Sequence, residues 1–220
     1  MPLTIQQVDS LQRSITDYAF PPVCYDFATN RQMDAGSMVE VEKYIRSLLA
    51  SSSIQDVEHG LANVVYWGNA NAGYQMHRVD KFRSGVTETQ LREFQRLVSD
   101  ERVLTLTDVA RLKMPQYSGV SFVSKVVAFL DPVNHCVLDL LLSRLNGVVH
   151  GKALQSLKVS TQIGVTKGNS QVYYAWCKEC VDISGRYFDG AYRAVDVERG
   201  FFNMIRGGHL KSAQEIYADA

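Results

Sequence analysis

The stretch SGVSFVSKVVAFLDPVNHCVLDLLLSRL, residues 118–145, decides the fold at the centre of this chain. It runs from small residues into an apolar segment, which predicts a helix over 121–130. Proline disfavours the helical conformation in the residue before it, so Asp131-Pro132 should end that helix. A second helix is expected over 139–146, with Asp139 as its N-cap.

Lys125 lies near the predicted start of the first helix. The partial positive charge of a helix N-terminus and the apolar neighbours both disfavour an ammonium ion there. More of this lysine should therefore be the free amine, which is the nucleophilic form. Six helical residues rise roughly 9 Å, and the extended residues after the proline can return up to about 20 Å. Asp139 can thus come back beside the start of the Lys125 helix.

An amine and a carboxylate that face one cleft suit a particular reaction, the removal of a base from a sugar. The carboxylate stabilises positive charge that grows on the sugar ring, and the amine attacks C1′ to form a Schiff base. Lys125 and Asp139 are the residues that could supply these two groups.

The segment resembles the helix-hairpin-helix DNA glycosylase superfamily, and within it the small proteins similar to 8-oxoguanine DNA glycosylase. The likeness covers residues 115–146, where Lys125 matches the family's nucleophile and Asp139 its activating aspartate. The family's hairpin usually reads Leu-Pro-Gly-Val-Gly, whereas Gly119 and Ser121 occupy the glycine positions here. The 14-residue step from Lys125 to Asp139 is also shorter than the common interval.

The resemblance implies a bifunctional enzyme of DNA repair or defence, a hydrolase and lyase that excises an 8-oxoguanine-like or other modified base. The expected partner is double-stranded DNA, bound by a monomer with no membrane involved. Gly119, Ser121 and Ser124 are expected to contact the DNA, and no cofactor is expected beyond a monovalent cation at the hairpin. The alternatives are a non-catalytic helical module that binds DNA or a protein, and an unrelated helical scaffold.

The stretch YWGNANAGY, residues 66–74, predicts a loop rich in amides and aromatic rings. Trp67 could stack on a base, Asn69 could fill the gap left by an extruded base, and Arg78 could hold a phosphate. An equally open alternative places Trp67 in the core and the arginine at the surface.

Glu198 and Phe202 are four residues apart on a predicted helix and therefore share one face. They could read the edge and the face of an extruded base, and the enzymes that the chain resembles use a glutamine and a phenylalanine at this spacing. The alternative is a surface network in which Asp196 or Glu198 pairs with a nearby arginine.

Capping boxes and helical spacing predict further helices. Their expected ranges are 38–50, 88–98, a short helix from 107, 170–182 and 195–205. Alternating β-branched residues over 157–165 predict a β-hairpin or an extended segment. The fold is therefore expected to be mostly α and glycosylase-like, with residues 1–220 forming a single helical domain or two lobes with the cleft between them.

Composition excludes disorder and fibre, because 46% of the residues are hydrophobic and 21% are charged. The 23 basic and 23 acidic residues balance, so no overall field favours a polyanion. Four cysteines and the lack of a charged apolar leader predict an intracellular protein, cytoplasmic in a bacterium or nuclear in a eukaryote. Cys177 and Cys180 form a lone CxxC with too few partners for zinc, so no metal site is expected and core packing is favoured.

Overall fold

The computed structural model describes residues 2–100, 103–147 and 151–220. It is mostly helical, as the sequence predicts, with one small antiparallel sheet in these ranges. In chain order the elements are α1 (Ile5–Thr16), β1 (Val23–Asp26), β2 (Arg31–Asp34), α2 (Met38–Leu49), α3 (Ile54–Gly68), α4 (Gln75–Gly85), α5 (Glu88–Ser99), α6 (Leu106–Arg111), α7 (Val120–Leu130), two 3-10 helices (Leu142–Asn146 and Ala153–Ser156), α8 (Lys167–Tyr187), α9 (Ala194–Arg206) and α10 (Leu210–Asp219).

The chain divides into two compact units. The central unit comprises residues 20–130, and the terminal unit comprises the described residues of 1–19 and 131–220. The second boundary falls at Asp131, directly before the proline that was expected to end the preceding helix. No helix in the described ranges is long and apolar enough to cross a membrane.

The central unit is built around α3, most of whose residues are buried. Packing against α2, α5 and α7 surrounds this helix and leaves it little polar face. The β1–β2 hairpin is attached to it by Asn63, whose side chain is fully buried. The Asn63 amide donates to the carbonyl oxygen of Tyr25 at 2.9 Å and accepts from the Tyr25 N–H at 2.7 Å. One side chain thus satisfies both backbone groups of a strand residue.

In the terminal unit, α1 packs closely against α9 at Gly200. A Cβ atom at this position would lie 2.6 Å from Ile15 Cγ1 and 2.9 Å from Leu11 Cδ1. The missing side chain therefore creates the space that the apolar face of α1 occupies. Because of this contact, the residues that follow α1 lie beside α9.

The helix predictions over 38–50, 88–98, 121–130 and 195–205 are confirmed to within two residues, and the prediction over 170–182 covers the middle of the longer α8. The short helix expected from 107 begins at Leu106, because Thr105 is its N-cap. Helices α1, α3, α4 and α10 are not among the predicted helices, although Thr4 and Gln7 form a capping box at the start of α1.

One local prediction is corrected by the structure, because the helix expected over 139–146 is a turn followed by the 3-10 helix Leu142–Asn146. Of the two alternatives predicted for 157–165, the structure has the extended segment, which is irregular and is bound by the buried Asn169 side chain. The Asn169 amide bonds both backbone groups of Lys158, at 3.0 and 2.9 Å, and donates to the carbonyl oxygen of Gly164 at 2.9 Å.

Replacing Asn63 with alanine should destabilise the central unit. The substitution leaves both backbone groups of Tyr25 without their side-chain partner, and each buried unpaired group costs about 1–3 kcal/mol. Urea denaturation should therefore show a lower midpoint for Asn63→Ala. The control is Asn134→Ala, an exposed site bonded to nearby Asp131, with an expected change within about 0.5 kcal/mol. Equal midpoints for the two variants would contradict the role given to Asn63.

Candidate active site

Lys125 belongs to the central unit and is the sixth residue of α7, which begins at Val120. Its Cα therefore lies in the second turn, close to the predicted start of the helix but not at it. Side chains on a helix tilt toward its N-terminus, and the amine follows this direction. Lys125 Nζ lies 3.1 Å from the carbonyl oxygen of Ser121 and donates to it. The amine consequently lies level with the first turn although its Cα does not.

The Lys125 side chain is buried on an apolar helix, with only 7% of the residue exposed. Its Nζ is 5.3 Å from the centre of the Phe122 ring, a distance at which the π face attracts a cation. Taking an ammonium ion out of water is costly, and a carbonyl oxygen and an aromatic face offset part of that cost. A lysine kept in such surroundings differs from a solvated surface lysine.

The C-terminal end of α3 lies against the stem of Lys125. A Cβ atom on Gly68 would be 2.8 Å from Phe122 Cε1 and 3.3 Å from Lys125 Cδ and Cε. These distances are shorter than ordinary van der Waals contacts, so any side chain at this position would displace the ring or the lysine. Gly68 was read only as part of a loop in the sequence, and its role depends on a contact between distant segments.

Asp139 belongs to the terminal unit and caps the turn that leads into the first 3-10 helix. Its Oδ1 accepts from the N–H groups of Leu141 at 2.9 Å and Leu142 at 3.0 Å. Asp139 therefore bonds the turn that precedes the 3-10 helix, whereas the N-cap position of that helix is Leu141 and not the aspartate predicted for it. Two bonds to one oxygen fix the orientation of the carboxylate.

The segment before Asp139 is held by side chains from α8 and α9. Trp176 Nε1 donates to the carbonyl oxygen of Val137 at 3.2 Å, and the Val137 N–H donates to Glu198 Oε2 at 3.4 Å. An extended segment outside a sheet must find such partners for its backbone. The position of Asp139 therefore depends on two residues that come much later in the chain.

Glu198 is 3% exposed, and its carboxylate accepts from Val137. It is thus not part of a surface network, and it serves the structure at a position predicted to read a base. Phe202, on the same face of α9, is partly buried and meets the ring of Tyr18 edge-on at 6.1 Å. All three of Asp139, Glu198 and Phe202 belong to the terminal unit, where Glu198 bonds the residue two positions before Asp139.

Tyr18 and Arg199 belong to the same unit, and no sequence pattern predicts a role for the tyrosine. The Arg199 guanidinium lies over the Tyr18 ring, 5.3 Å from its centre. Burial raises the pKa of Tyr18 far above its usual range; Arg199 opposes this, while the charges of Glu198 and Asp139 raise it further. The capping box that predicts α1 would have identified the residue as following that helix, but not its partners.

A second arginine, Arg193, is bound to a different residue of α9. Arg193 forms two hydrogen bonds to the Asp196 carboxylate, at 2.7 and 2.8 Å, and Arg199 lies 3.6 Å from it. These bonds outweigh the opposing effect of burial and hold the pKa of Asp196 below its usual range. Asp196 therefore pairs with nearby arginines, which is the arrangement that the sequence analysis gives as the alternative to base recognition.

The residues predicted to contact DNA at the start of α7 are differently exposed. Ser124 is fully buried, and its hydroxyl donates to the carbonyl oxygen of Ser121 at 3.3 Å. Its side chain therefore presents no exposed group to a phosphate. Ser121 is partly exposed, and Gly119 accepts through its carbonyl from the N–H of Val123 at 3.3 Å.

The predicted loop at residues 66–74 is partly helical, because α3 continues to Gly68. Trp67 is 4% exposed and packs edge-on against Phe20 at 4.9 Å and Phe129 at 5.2 Å. It thus occupies the core position that the sequence left open as an alternative to base stacking. Asn69 caps the end of α3, and its amide donates to the carbonyl oxygen of Val65 at 2.8 Å.

Arg78 is exposed on α4, where a cation is available to solvent and ligands. Its guanidinium lies 5.2 Å from the Tyr74 ring centre and donates to Gln116 Oε1 at 3.2 Å. An exposed arginine stacked on an exposed ring suits contact with a nucleic-acid strand. Of the predicted binding residues in the central unit, Arg78 is the one that the structure leaves most accessible.

Cys177 and Cys180 are buried with Cys136, whose sulfur lies 3.6 and 3.9 Å from theirs. Burial raises the pKa of all three thiols, that of Cys180 to about 11. In the described ranges no group of three or more potential ligands is arranged to hold a metal ion. The cysteines pack in the core of the terminal unit as reduced thiols.

Neither a family model, nor a curated protein, nor a solved structure matches this chain. The resemblance to the glycosylase superfamily therefore depends on residues 115–146. The surroundings of Lys125 and Asp139 provide evidence about function that is independent of this resemblance.

The burial of Lys125 predicts slow chemical labelling of its amine. With acetic anhydride on the folded protein, Lys125 should react at least about tenfold more slowly than the exposed Lys81. Gly68→Ala should raise the Lys125 rate, because the added methyl group displaces Phe122 or the lysine stem. Mass spectrometry of the digested protein measures both rates.

The matched control for this experiment is Gly73→Ala in the same unit, where an added Cβ meets no atom within 4 Å. It should leave the labelling of Lys125 unchanged. Equal labelling of Lys125 in Gly68→Ala, Gly73→Ala and the unsubstituted protein would contradict the contact described for Gly68.

Proposed function

We propose that this protein is a DNA glycosylase with β-lyase activity, which excises a damaged or modified base through a Schiff base on Lys125. The observation that carries the proposal is the burial of the Lys125 amine on an apolar helix. Natural chains seldom bury a lysine without a use for it, because the charged form loses its hydration. A buried amine is also a common way to activate lysine as a nucleophile.

Lys125 attacks C1′ of the deoxyribose with the lone pair of its neutral amine. The N-glycosidic bond breaks, its electron pair leaves with the base, and the base takes up the proton that Nζ loses. Opening of the sugar ring leaves the electron pair of the C1′–O4′ bond on O4′, which takes a proton from water, and gives a protonated imine between C1′ and Nζ. Loss of a proton from C2′ expels the 3′ phosphate by β-elimination, and water later hydrolyses the imine to release Lys125.

The surroundings of Lys125 support this role. Exclusion of water favours the neutral amine over the ammonium ion, and the neutral amine is the species that attacks. The carbonyl oxygen of Ser121 holds Nζ in one place before the sugar arrives. Pre-positioning of a nucleophile is among the larger contributions to an enzymatic rate.

Asp139 stabilises the positive charge that develops on the sugar as the base departs. Its two bonds to backbone N–H groups use Oδ1 and fix the carboxylate plane. A carboxylate that does not need to reorient stabilises a transition state without added cost. The hydrogen bonds of Val137 to Trp176 and Glu198 hold the segment that directly precedes Asp139.

The proposed substrate is double-stranded DNA with an 8-oxoguanine-like or other modified base, acted on by a monomer inside the cell. Phe202 is proposed to meet the face of the extruded base, whereas Glu198, predicted from the sequence as the polar member of the pair, is buried and bonds the Val137 N–H. Arg78, with Gly119 and Ser121, is proposed to contact the DNA strand. The identity of the base and the fold relationship both come from the resemblance.

Sodium borohydride trapping on a lesion-bearing duplex tests the nucleophile. Reduction of the Schiff base should join the unsubstituted protein covalently to DNA, and Lys125→Gln should abolish the adduct because an amide cannot form an imine. The control is Lys81→Gln, an exposed lysine of the same unit, which should leave the yield unchanged. An unaltered yield in Lys125→Gln would remove the assignment.

Substitution of Asp139 by asparagine separates its chemical role from its structural one. The amide oxygen of asparagine still accepts from Leu141 and Leu142, and asparagine caps helices about as well as aspartate. Asp139→Asn should therefore keep its thermal stability and DNA affinity but lose about 10²-fold or more in single-turnover excision rate. Asp139→Ala should in addition lose about 1 kcal/mol of stability.

Equal loss of rate and affinity in Asp139→Asn would contradict a chemical role for the carboxylate. A salt-dependent affinity for DNA with no strand breakage on any lesion would instead identify a non-catalytic binding module. No affinity for DNA at all would identify an unrelated scaffold.

A further inference from the structure

The terminal unit contains a polar cavity that the proposed chemistry does not use. Its volume is about 450 Å³, within the range of about 300–1,000 Å³ that small-ligand sites occupy. Residues of α1, of the end of α9 and of the start of α10 line it. Met204 is the buried apolar member of the lining, and the other side chains are polar. A cavity with such a lining suits a hydrophilic ligand.

Two walls of the cavity are held together by Asn203. Its amide donates to the carbonyl oxygens of Ser14 and Asp17, both at 3.1 Å, so the end of α1 is bound to α9. These bonds add to the close packing of α1 on α9 at Gly200. Both walls are therefore fixed before a ligand arrives, which lowers the entropic cost of binding.

The third wall is the turn between α9 and α10. Gly208 has a φ of 86°, in the left-handed region that glycine favours. The N–H groups of Gly208 and His209 donate to the carbonyl oxygens of Ile205 at 3.1 Å and Met204 at 2.9 Å, which is a Schellman turn. A Cβ atom on Gly207 would lie 3.4 Å from His209 Cδ2. The His209 ring thus lies against the backbone of this turn.

Arg13 and His209 provide the nitrogen donors of the cavity. Arg13 Nε donates to the carbonyl oxygen of Asp9 at 3.3 Å, while its terminal nitrogens have no hydrogen-bond or ion-pair partner among the described residues. His209 is the N-cap residue of α10, but its side chain makes no capping hydrogen bond. A guanidinium binds a phosphate through two parallel hydrogen bonds, and an imidazole can donate another.

Hydroxyl groups make up most of the remaining lining. Ser10, Ser14 and Ser212 face the cavity, and in the part of the chain that the structure describes their hydroxyls have no protein partner. Each hydroxyl can both donate and accept, and the Asp17 carboxylate adds further acceptors. This combination matches the hydroxyl groups of a sugar, because the carboxylate would repel a second anionic group.

We propose that this cavity binds a phosphorylated sugar. Arg13 and His209 bind the phosphate, and the three serines and Asp17 bind the sugar hydroxyls. The balanced charge of the chain gives no overall attraction for an anion, so these local donors supply it. The cavity includes neither Lys125 nor Asp139, and the proposal does not depend on the glycosylase activity.

Isothermal titration calorimetry of the full chain with ribose 5-phosphate tests the proposal. Binding should be saturable, with a dissociation constant of about 1 mM or lower. Arg13→Gln should weaken binding about tenfold or more, because charge-assisted hydrogen bonds to the phosphate are lost. His209→Ala should weaken it about threefold or more. Both side chains are exposed, so the unliganded variants should keep the thermal midpoint of the unsubstituted protein.

The matched control is Arg144→Gln, an exposed arginine of the same unit that lies outside the cavity, and it should keep the affinity. Ribose and inorganic phosphate should each bind about tenfold more weakly or less, because each lacks one of the two sets of contacts. The proposal is overturned by a lack of saturable binding of ribose 5-phosphate, or by an equal affinity in Arg13→Gln and Arg144→Gln. Inorganic phosphate that binds as tightly as ribose 5-phosphate would also overturn it, since the sugar would then make no contact.

Discussion

The proposed chemistry depends on the burial of one amine, that of Lys125. Lys125 lies on a helix that is otherwise apolar, and water is largely excluded from its side chain. The physical difficulty is that a primary amine is charged in water, and burial makes the charge expensive. The carbonyl oxygen of Ser121 and the face of Phe122 reduce that cost, and the lack of a side chain at Gly68 makes room for the lysine stem. A helix that needed only stability would place an aliphatic residue there.

Asp139 is positioned in a different way, by hydrogen bonds to the backbone of the segment before it. Its segment is extended but belongs to no sheet, so the backbone of Val137 takes its partners from the side chains of Trp176 and Glu198. This arrangement makes the Asp139 turn sensitive to the packing of α8 and α9. The packing of α9 also holds the Tyr18 ring, through Phe202 and Arg199.

The parts of the fold that sequence predicts well are those with local causes. The Thr87 and Gln90 capping box and an amphipathic pattern predict α5. An apolar run that is followed by a proline predicts α7. The sequence predicts no helix over α3 and a loop at its end, because this helix is buried on nearly every side and has no polar face to reveal its period. The β1–β2 hairpin depends on Asn63, which lies 38 residues from Tyr25. No short sequence pattern contains such a contact.

The residues of the candidate site differ in the same way, some having local causes in the sequence and others depending on distant segments. Lys125 and Asp139 were identified from their local surroundings and from the resemblance, whereas Gly68 and Trp176 act through contacts with distant segments. The central claim is that the Lys125 amine is the nucleophile, and mapping the covalent DNA adduct tests it most directly. After reduction, nuclease treatment and proteolysis, mass spectrometry should find the sugar remnant on Nζ of Lys125. A remnant on the N-terminal amine or on any other lysine would contradict the account.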